Sequence, residues 1–209
     1  MQTIQSDALV TLDELRTSLG FAPGQRVELD GFLVLVINAV TQRSNAYCGR
    51  TLGRTTYANQ LFDGDGTEWL ALPHFPVDVS SSGVVFQLYV DLTRVFGSSS
   101  LLTRWDETGE QGTAQYRLIE EDGTIERLDS VFPVGSAIAK VNYTAGYTHD
   151  TALDVVMAQM EECKDWWARR GRDPSVQSGS LAGFSSTLRN DDLSPKVKAV
   201  LNAHSQGLW

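Results

Sequence analysis

The 209-residue sequence predicts an α+β protein: a small helical bundle interrupted by an inserted antiparallel β region and followed by an extended C-terminal arm that ends in a short helix. Three observations carry this. Helical periodicity holds to about residue 48 and returns near residue 151. Alternating, β-branched and aromatic segments punctuated by Gly, Asp and Pro fill the stretch between. Turn-forming residues with sparse apolar positions then dominate from 173 onward. The expected divisions are 1–52 for the first bundle helices, 53–147 for the β insertion, 148–172 for the closing bundle helix and 173–209 for the arm.

Thr11 followed by Glu14 is a capping box for a helix over Leu12 to Leu19, stopped by Gly20. Pro23 and Gly24 make a corner. From about Gln25 to Cys48, Leu29, Leu33, Val36, Val40, Ser44 and Tyr47 recur at helical steps, while Phe32, Leu35, Ile37 and Ala39 make the middle apolar nearly all round. Such a helix needs cover on more than one side. Phe32, Leu35 and, further on, Trp166 are therefore expected at contacts between copies of the chain.

Gly49 stands where a helix ends. "RTTYANQLF" is expected to pair with "TEWLALP" across a "DGDG" hairpin closed by Pro73 and Pro76. "GVVFQLYVDLTRVF" follows as a strand with Phe86, Leu88 and Val90 on one face. "AQYRLIEEDGTIERL" reads as a hairpin turning at Asp122 and Gly123, and "AIAKVNYTAGY" as a strand with Ala139, Val141 and Tyr143 sharing a face. In the next helix Leu153, Val156, Met160, Cys163 and Trp167 form the apolar stripe, widened by Ala152, Val155 and Trp166. Ser194 caps the last helix with Pro195 at its first position.

The chain carries 17 basic and 26 acidic residues, a formal charge of -9, and this averaged field repels phosphate. Its densest basic run, Arg169, Arg170 and Arg172, fits the negative end of a helix dipole. Two cysteines, Cys48 and Cys163, match neither a zinc cluster nor a redox pair. Both read as packing residues of a chain made in a reducing cytosol. The start lacks the pattern of a signal peptide, and the longest apolar stretch, Phe32 to Val40, is too short to span a membrane.

No nucleophile elbow, HExxH pair or phosphate loop is present, and His74, His149 and His204 share no motif. The glycines of "GRTLGR" follow a helix instead of preceding one, the wrong direction for anion binding. Asp63 and Asp65 lack the remaining ligands of a calcium loop, so turn chemistry is expected there. Trp166 and Trp167 are read as core and subunit contacts, since no basic groove accompanies them. No catalytic residue, cofactor or metal is expected.

The order of "ALVTLDELRTSLGF", a long helix ending "AYCGRTLGRTTY", "DGDGTEWLALPHFPV", "AKVNYTAGY", "DWWARRG" and "LSPKVKAVLNAH" resembles the head-tail connector (adaptor) proteins of tailed bacteriophages and phage-like gene transfer particles. The resemblance spans nearly the whole chain. It implies a non-enzymatic virion protein, assembled in the bacterial host's cytoplasm into a homo-oligomeric ring, usually of twelve copies, in the particle neck. The ring would sit below the portal protein, receive a stopper or tail-terminator protein and let double-stranded DNA pass without a membrane partner. On that reading the arm docks to the portal through Leu181, Phe184, Leu188, Val197, Val200, Leu201, Leu208 and Trp209. A neighbouring stopper or terminator, and a small cytosolic enzyme with a dispersed site, are the alternative readings.

Overall fold

The computed structural model describes residues 3–79, 86–105, 114–170, 178–181, 184–187 and 193–205, with backbone alone for 178–181 and 184–187. The fold is α+β, with four α-helices, two three-stranded antiparallel sheets and one two-stranded sheet among the described residues. The chain divides into two compact units, a helical one of Met1–Arg50 with His149–Trp209, and a β-rich one of Thr51–Thr148.

In the helical unit, α1 (Leu12–Ser18) opens on the expected capping box: Thr11 Oγ1 accepts from the Glu14 amide and the Glu14 carboxylate accepts from the Thr11 amide. A short 3-10 turn, Val27–Leu29, leads into α2 (Asp30–Cys48), which stops at Gly49 with φ +69°, a left-handed position that suits glycine. Helix α3 (Leu153–Arg169) packs on α2, and both carry α4 (Pro195–Asn202), whose Ser194 cap accepts from the Val197 amide. The unit's core is apolar where α2 meets its neighbours: Leu33, Val36, Ile37 and Val40 are all buried, as are Leu15 of α1 and Val155 and Val156 of α3.

The buried face of α3 differs from the expected stripe. Leu153 is 56% exposed, and Trp167 lies half-buried at the margin. Gln159 and Glu162 are buried beside Val155, Val156 and Cys163. The cause is α4, which seats on the flank of α3 that holds Glu162 and moves the covered face toward polar positions.

In the β-rich unit, β1 (Thr55–Gly64), β6 (Gly135–Ala145) and β3 (Gln87–Val90) form one sheet in the order β1-β6-β3. The second sheet, in the order β2-β5-β4, contains β2 (Trp69–Ala71), β4 (Tyr116–Ile119) and β5 (Thr124–Arg127). One apolar core joins them, with Leu88, Ile125, Phe132, Val141 and Tyr143 fully buried. The expected face of β6, Ala139, Val141 and Tyr143, is buried throughout. The hairpin at Asp122 and Gly123 is present as β4 and β5, with Gly123 at φ +71°.

The "DGDG" hairpin is not. Strand β1 pairs with β6 and β2 with β5, so the two segments flanking these glycines belong to different sheets. Asp63 and Asp65 brace the crossing between sheets: Asp63 Oδ1 accepts from the Ala137 amide at 2.7 Å, and Asp65 Oδ1 accepts from the Thr67 amide and hydroxyl. Gly66 takes φ +87°, but Gly64 is required for a different reason, the close approach of Pro133. The strand expected over "GVVFQLYVDLTRVF" is regular only from Gln87 to Val90, where Asp91 ends it by accepting from the Thr93 and Phe96 amides. Residues 83–85 lie outside those described.

The segments that lead into β1 and out of β6 are neighbours. Gly53 bridges Tyr147, the Arg54 amide donates to Tyr147 O, the Tyr147 amide donates to Leu52 O, and Thr55 faces Ala145. The arm expected to be extended contains a two-stranded hairpin, β7 (Ser178–Leu181) with β8 (Phe184–Thr187).

Candidate functional surface of the helical unit

An eight-residue helix is too short to be stable alone in water, so α4 owes its existence to the surface that receives it. Leu193, Val197 and Leu201 are 5%, 1% and 0% exposed there. Polar contacts surround this apolar strip. The Ser194 amide donates to Glu162 Oε2 at 3.0 Å, and the Cys48 thiol donates to Leu201 O at 3.6 Å. At the far end Arg50 Nε donates to His204 O at 2.9 Å, the Tyr47 hydroxyl donates to Asn202 Oδ1 at 2.6 Å, and His204 Nε2 lies 2.7 Å from Asp154 Oδ2. Glu162 at the start of α4 and Arg50 at its end carry the charges that suit a helix dipole. Burial pushes the thiols up, Cys48 to about 11 and Cys163 to about 12, which leaves both protonated and unreactive near neutral pH.

The residues expected at contacts between copies lie on the same unit. Phe32 and Leu35 of α2 are 37% and 47% exposed. Trp166 is half-buried under the Arg43 guanidinium, 4.6 Å from the ring centroid. Trp167, beside it, meets Phe21 edge-on at 5.5 Å and Phe32 at 6.0 Å, with Arg170 stacked at 3.5 Å.

Among the residues expected to meet a portal, Val197 and Leu201 are in the core of their own unit and Val200 is half-buried. Leu188, Leu208 and Trp209 lie outside the described residues, as do the side chains of Leu181 and Phe184. Asp154, Glu162, Tyr47 and Arg50, the polar partners of α4, went unrecognised in the sequence. Their one signal was polarity on an otherwise apolar helix face, at Gln159 and Glu162.

Each histidine has its own neighbours. His74 stacks on Tyr57 with centroids 4.2 Å apart, His204 binds Asp154, and His149 is held between Glu14 at 2.5 Å and Asp150 at 3.1 Å. Among the described residues no group of three or more His, Cys, Asp or Glu side chains is arranged to hold a metal, and no helix is long and apolar enough to cross a membrane. An open cleft of about 410 Å³ lies between α1 and the 21–27 turn. Its arginine, Arg16, is already engaged by Asp30 and by Gln25 O.

His149 supplies a testable pH response. The hydrogen bond with Asp150 raises its pKa above 6.5; desolvation opposes this and the Glu14 carboxylate adds to it. A raised folded-state pKa gives stability that is fully present below about 6.5, the value of an unfolded histidine, and lost as pH rises through the folded value. NMR titration of wild type should place His149 above 6.5, and His149→Gln should flatten the fall in helical-unit stability over that window. An unchanged slope in the variant would show that the ion pair has no thermodynamic weight.

No family model matches the chain, and no curated protein matches it. Solved structures do. A chain from the neck of an empty GTA particle, computed with C6 symmetry, aligns over 100% of this chain and 95% of its own, with TM-score 0.56 and 16% identity. A chain from the virion of a native gene transfer agent (GTA) particle aligns over the same shares with TM-score 0.55 and 16% identity.

This fold also occurs in gene transfer agent particles.

The alignment to the GTA chains covers both units, so the β-rich unit belongs to the shared architecture and is not an addition peculiar to this sequence. At 16% identity the likeness lies in the path of the backbone, and the polar contacts of α4 are described for this chain alone.

Proposed function

We propose that the chain is a structural component of the neck of a phage-like particle, an adaptor whose copies form a ring below the portal and join the DNA-filled head to the tail. The observation that carries this is the whole-length likeness to a chain from a GTA neck. The C6 symmetry applied to that neck supports a cyclic arrangement, and twelve copies is the number proposed here. Exposed Phe32 and Leu35 offer an apolar contact between copies, with Trp166 at its margin. A net charge of -9 would let double-stranded DNA slide through a lumen without adhering.

The portal contact is proposed for the arm. Leu181, Phe184, Leu188, Leu208 and Trp209 can serve with α4 seated, whereas Val197 and Leu201 would join only after it leaves its seat. The β-rich unit is proposed to face the next tail component, a stopper or terminator, or the capsid.

Electron microscopy of the purified chain mixed with portal rings tests the assignment. The expected image is a second ring stacked coaxially on the portal. A chain that stays monomeric and unbound at micromolar portal would overturn it.

A further inference from the structure

We infer that in the assembled ring the seat on α2 and α3 is filled by α4 of the adjacent copy, so that the C-terminal segments are exchanged around the ring. This rests on the ring reading above and names the contact that ties its members together.

The tether is far longer than docking within one chain requires. Ser194 N lies 3.0 Å from the carboxylate of Glu162, which is eight residues before Arg170 on α3. The chain therefore has to return only about 12 Å along the helix, at 1.5 Å per residue. Residues 171 to 192, 22 in all, make that return. Even with Ser178–Thr187 folded as the hairpin, the flanking 171–177 and 188–192 segments could span about 40 Å when extended. A body of about 100 residues has a radius of gyration of about 13 Å, so the seat of a touching neighbour is within reach.

The contacts described above that hold α4 are made by residues 193–204 of the arriving segment, and the same segment from a second copy would make them too. Exchange of an identical element between copies costs little for that reason. Dilute chains would keep their own α4, because the tether holds it at high effective concentration. Contact between neighbours in a ring makes the adjacent seat comparably close.

The two helices that form the seat also carry polar groups that a permanently sealed core would avoid. Gln159, one turn before Glu162 and Cys163 on the buried face of α3, is 1% exposed and neither amide atom has a hydrogen-bond partner among the described residues. Ser44, one turn before Cys48 on α2, is 0% exposed and its hydroxyl is likewise unpartnered. Buried polar groups without partners lower the stability of the packed helices that carry them.

The test uses full-length copies carrying Tyr47→Cys mixed with copies carrying Asn202→Cys, assembled on portal rings and treated with a short bismaleimide. Both positions are on the exposed rim of the seat, and circular dichroism checks each variant's fold. A second pair, Asp154→Cys with His204→Cys, reads the same seat independently. The native thiols are buried, and the unsubstituted chain serves as the control for them. Two-chain products from the mixed rings are expected with both pairs, with one-chain closure in dilute copies that carry both substitutions of a pair. Rings that yield no two-chain product, while doubly substituted copies close only on themselves, would overturn the exchange and leave the ring intact. Failure to form any ring would overturn the adaptor reading and the exchange with it.

Discussion

Gly64→Ala should destabilise the β-rich unit by about 2–4 kcal/mol, a loss at the severe end for a single methyl group. A Cβ at Gly64 would stand 2.0 Å from Pro133 O and 2.8 Å and 2.9 Å from the Ile138 side chain. The carbonyl is backbone and cannot turn aside, and Ile138 is 1% exposed within the core. Relief therefore requires β1 and β6 to separate where their register already shifts, between Phe62 and Gly64. Calorimetry should show the transition of this unit lowered by at least about 8 °C, with the helical unit's transition unmoved. Gly97→Ala is the control, since a Cβ there meets only Ser99 Oγ at 3.9 Å. Equal melting of the two variants would mean that Pro133 does not approach β1 in this way.

Leu201→Ala should release α4. Leu201 is fully buried, and truncation of a buried leucine costs about 2–5 kcal/mol. Here the loss is capped by the docking energy of one short helix, so the consequence is local opening and not collapse of α2 and α3. Hydrogen exchange should show protection falling at least tenfold at the amides of Lys198 to His204, while those of α2 keep theirs. Retained protection in the variant would mean that the hydrogen bonds to Glu162, Arg50 and Tyr47 hold α4 without its apolar anchor.

Local chemistry made much of the architecture readable. The Thr11–Glu14 box, Gly49 after α2, Asp122 with Gly123 and the Ser194–Pro195 start each act over about four residues, and each appears where the sequence places it. Strand partnership is a longer-range matter. The glycines after Phe62 carry hairpin chemistry, yet β1 bonds to a strand about 80 residues later, because Tyr57 and Phe62 pack on the core that β6 completes. Turn propensity is a weak local bias, and burial of a shared apolar face outweighs it.

The seat of α4 was illegible for a related reason. Gln159 and Glu162 are polar, and periodicity assigns polar positions to solvent, so the expected stripe runs through Leu153 and Met160 instead. Only when Leu193, Val197 and Leu201 arrive from the far end of the sequence does that flank of α3 become interior. Phe32 and Leu35 illustrate the converse. An apolar excess on α2 was plain from composition, and both side chains remain exposed on the single chain.

The paired strands at the threshold of the β-rich unit carry a consequence for evolution and engineering. Leu52 and Tyr147 are hydrogen-bonded neighbours, so the polypeptide enters and leaves through one doorway. A block of nearly a hundred residues could be lifted out there and the gap sealed with a turn, or another block grafted in, without lengthening any path through the helices. Lineages could thus exchange this block while conserving how the helical unit folds.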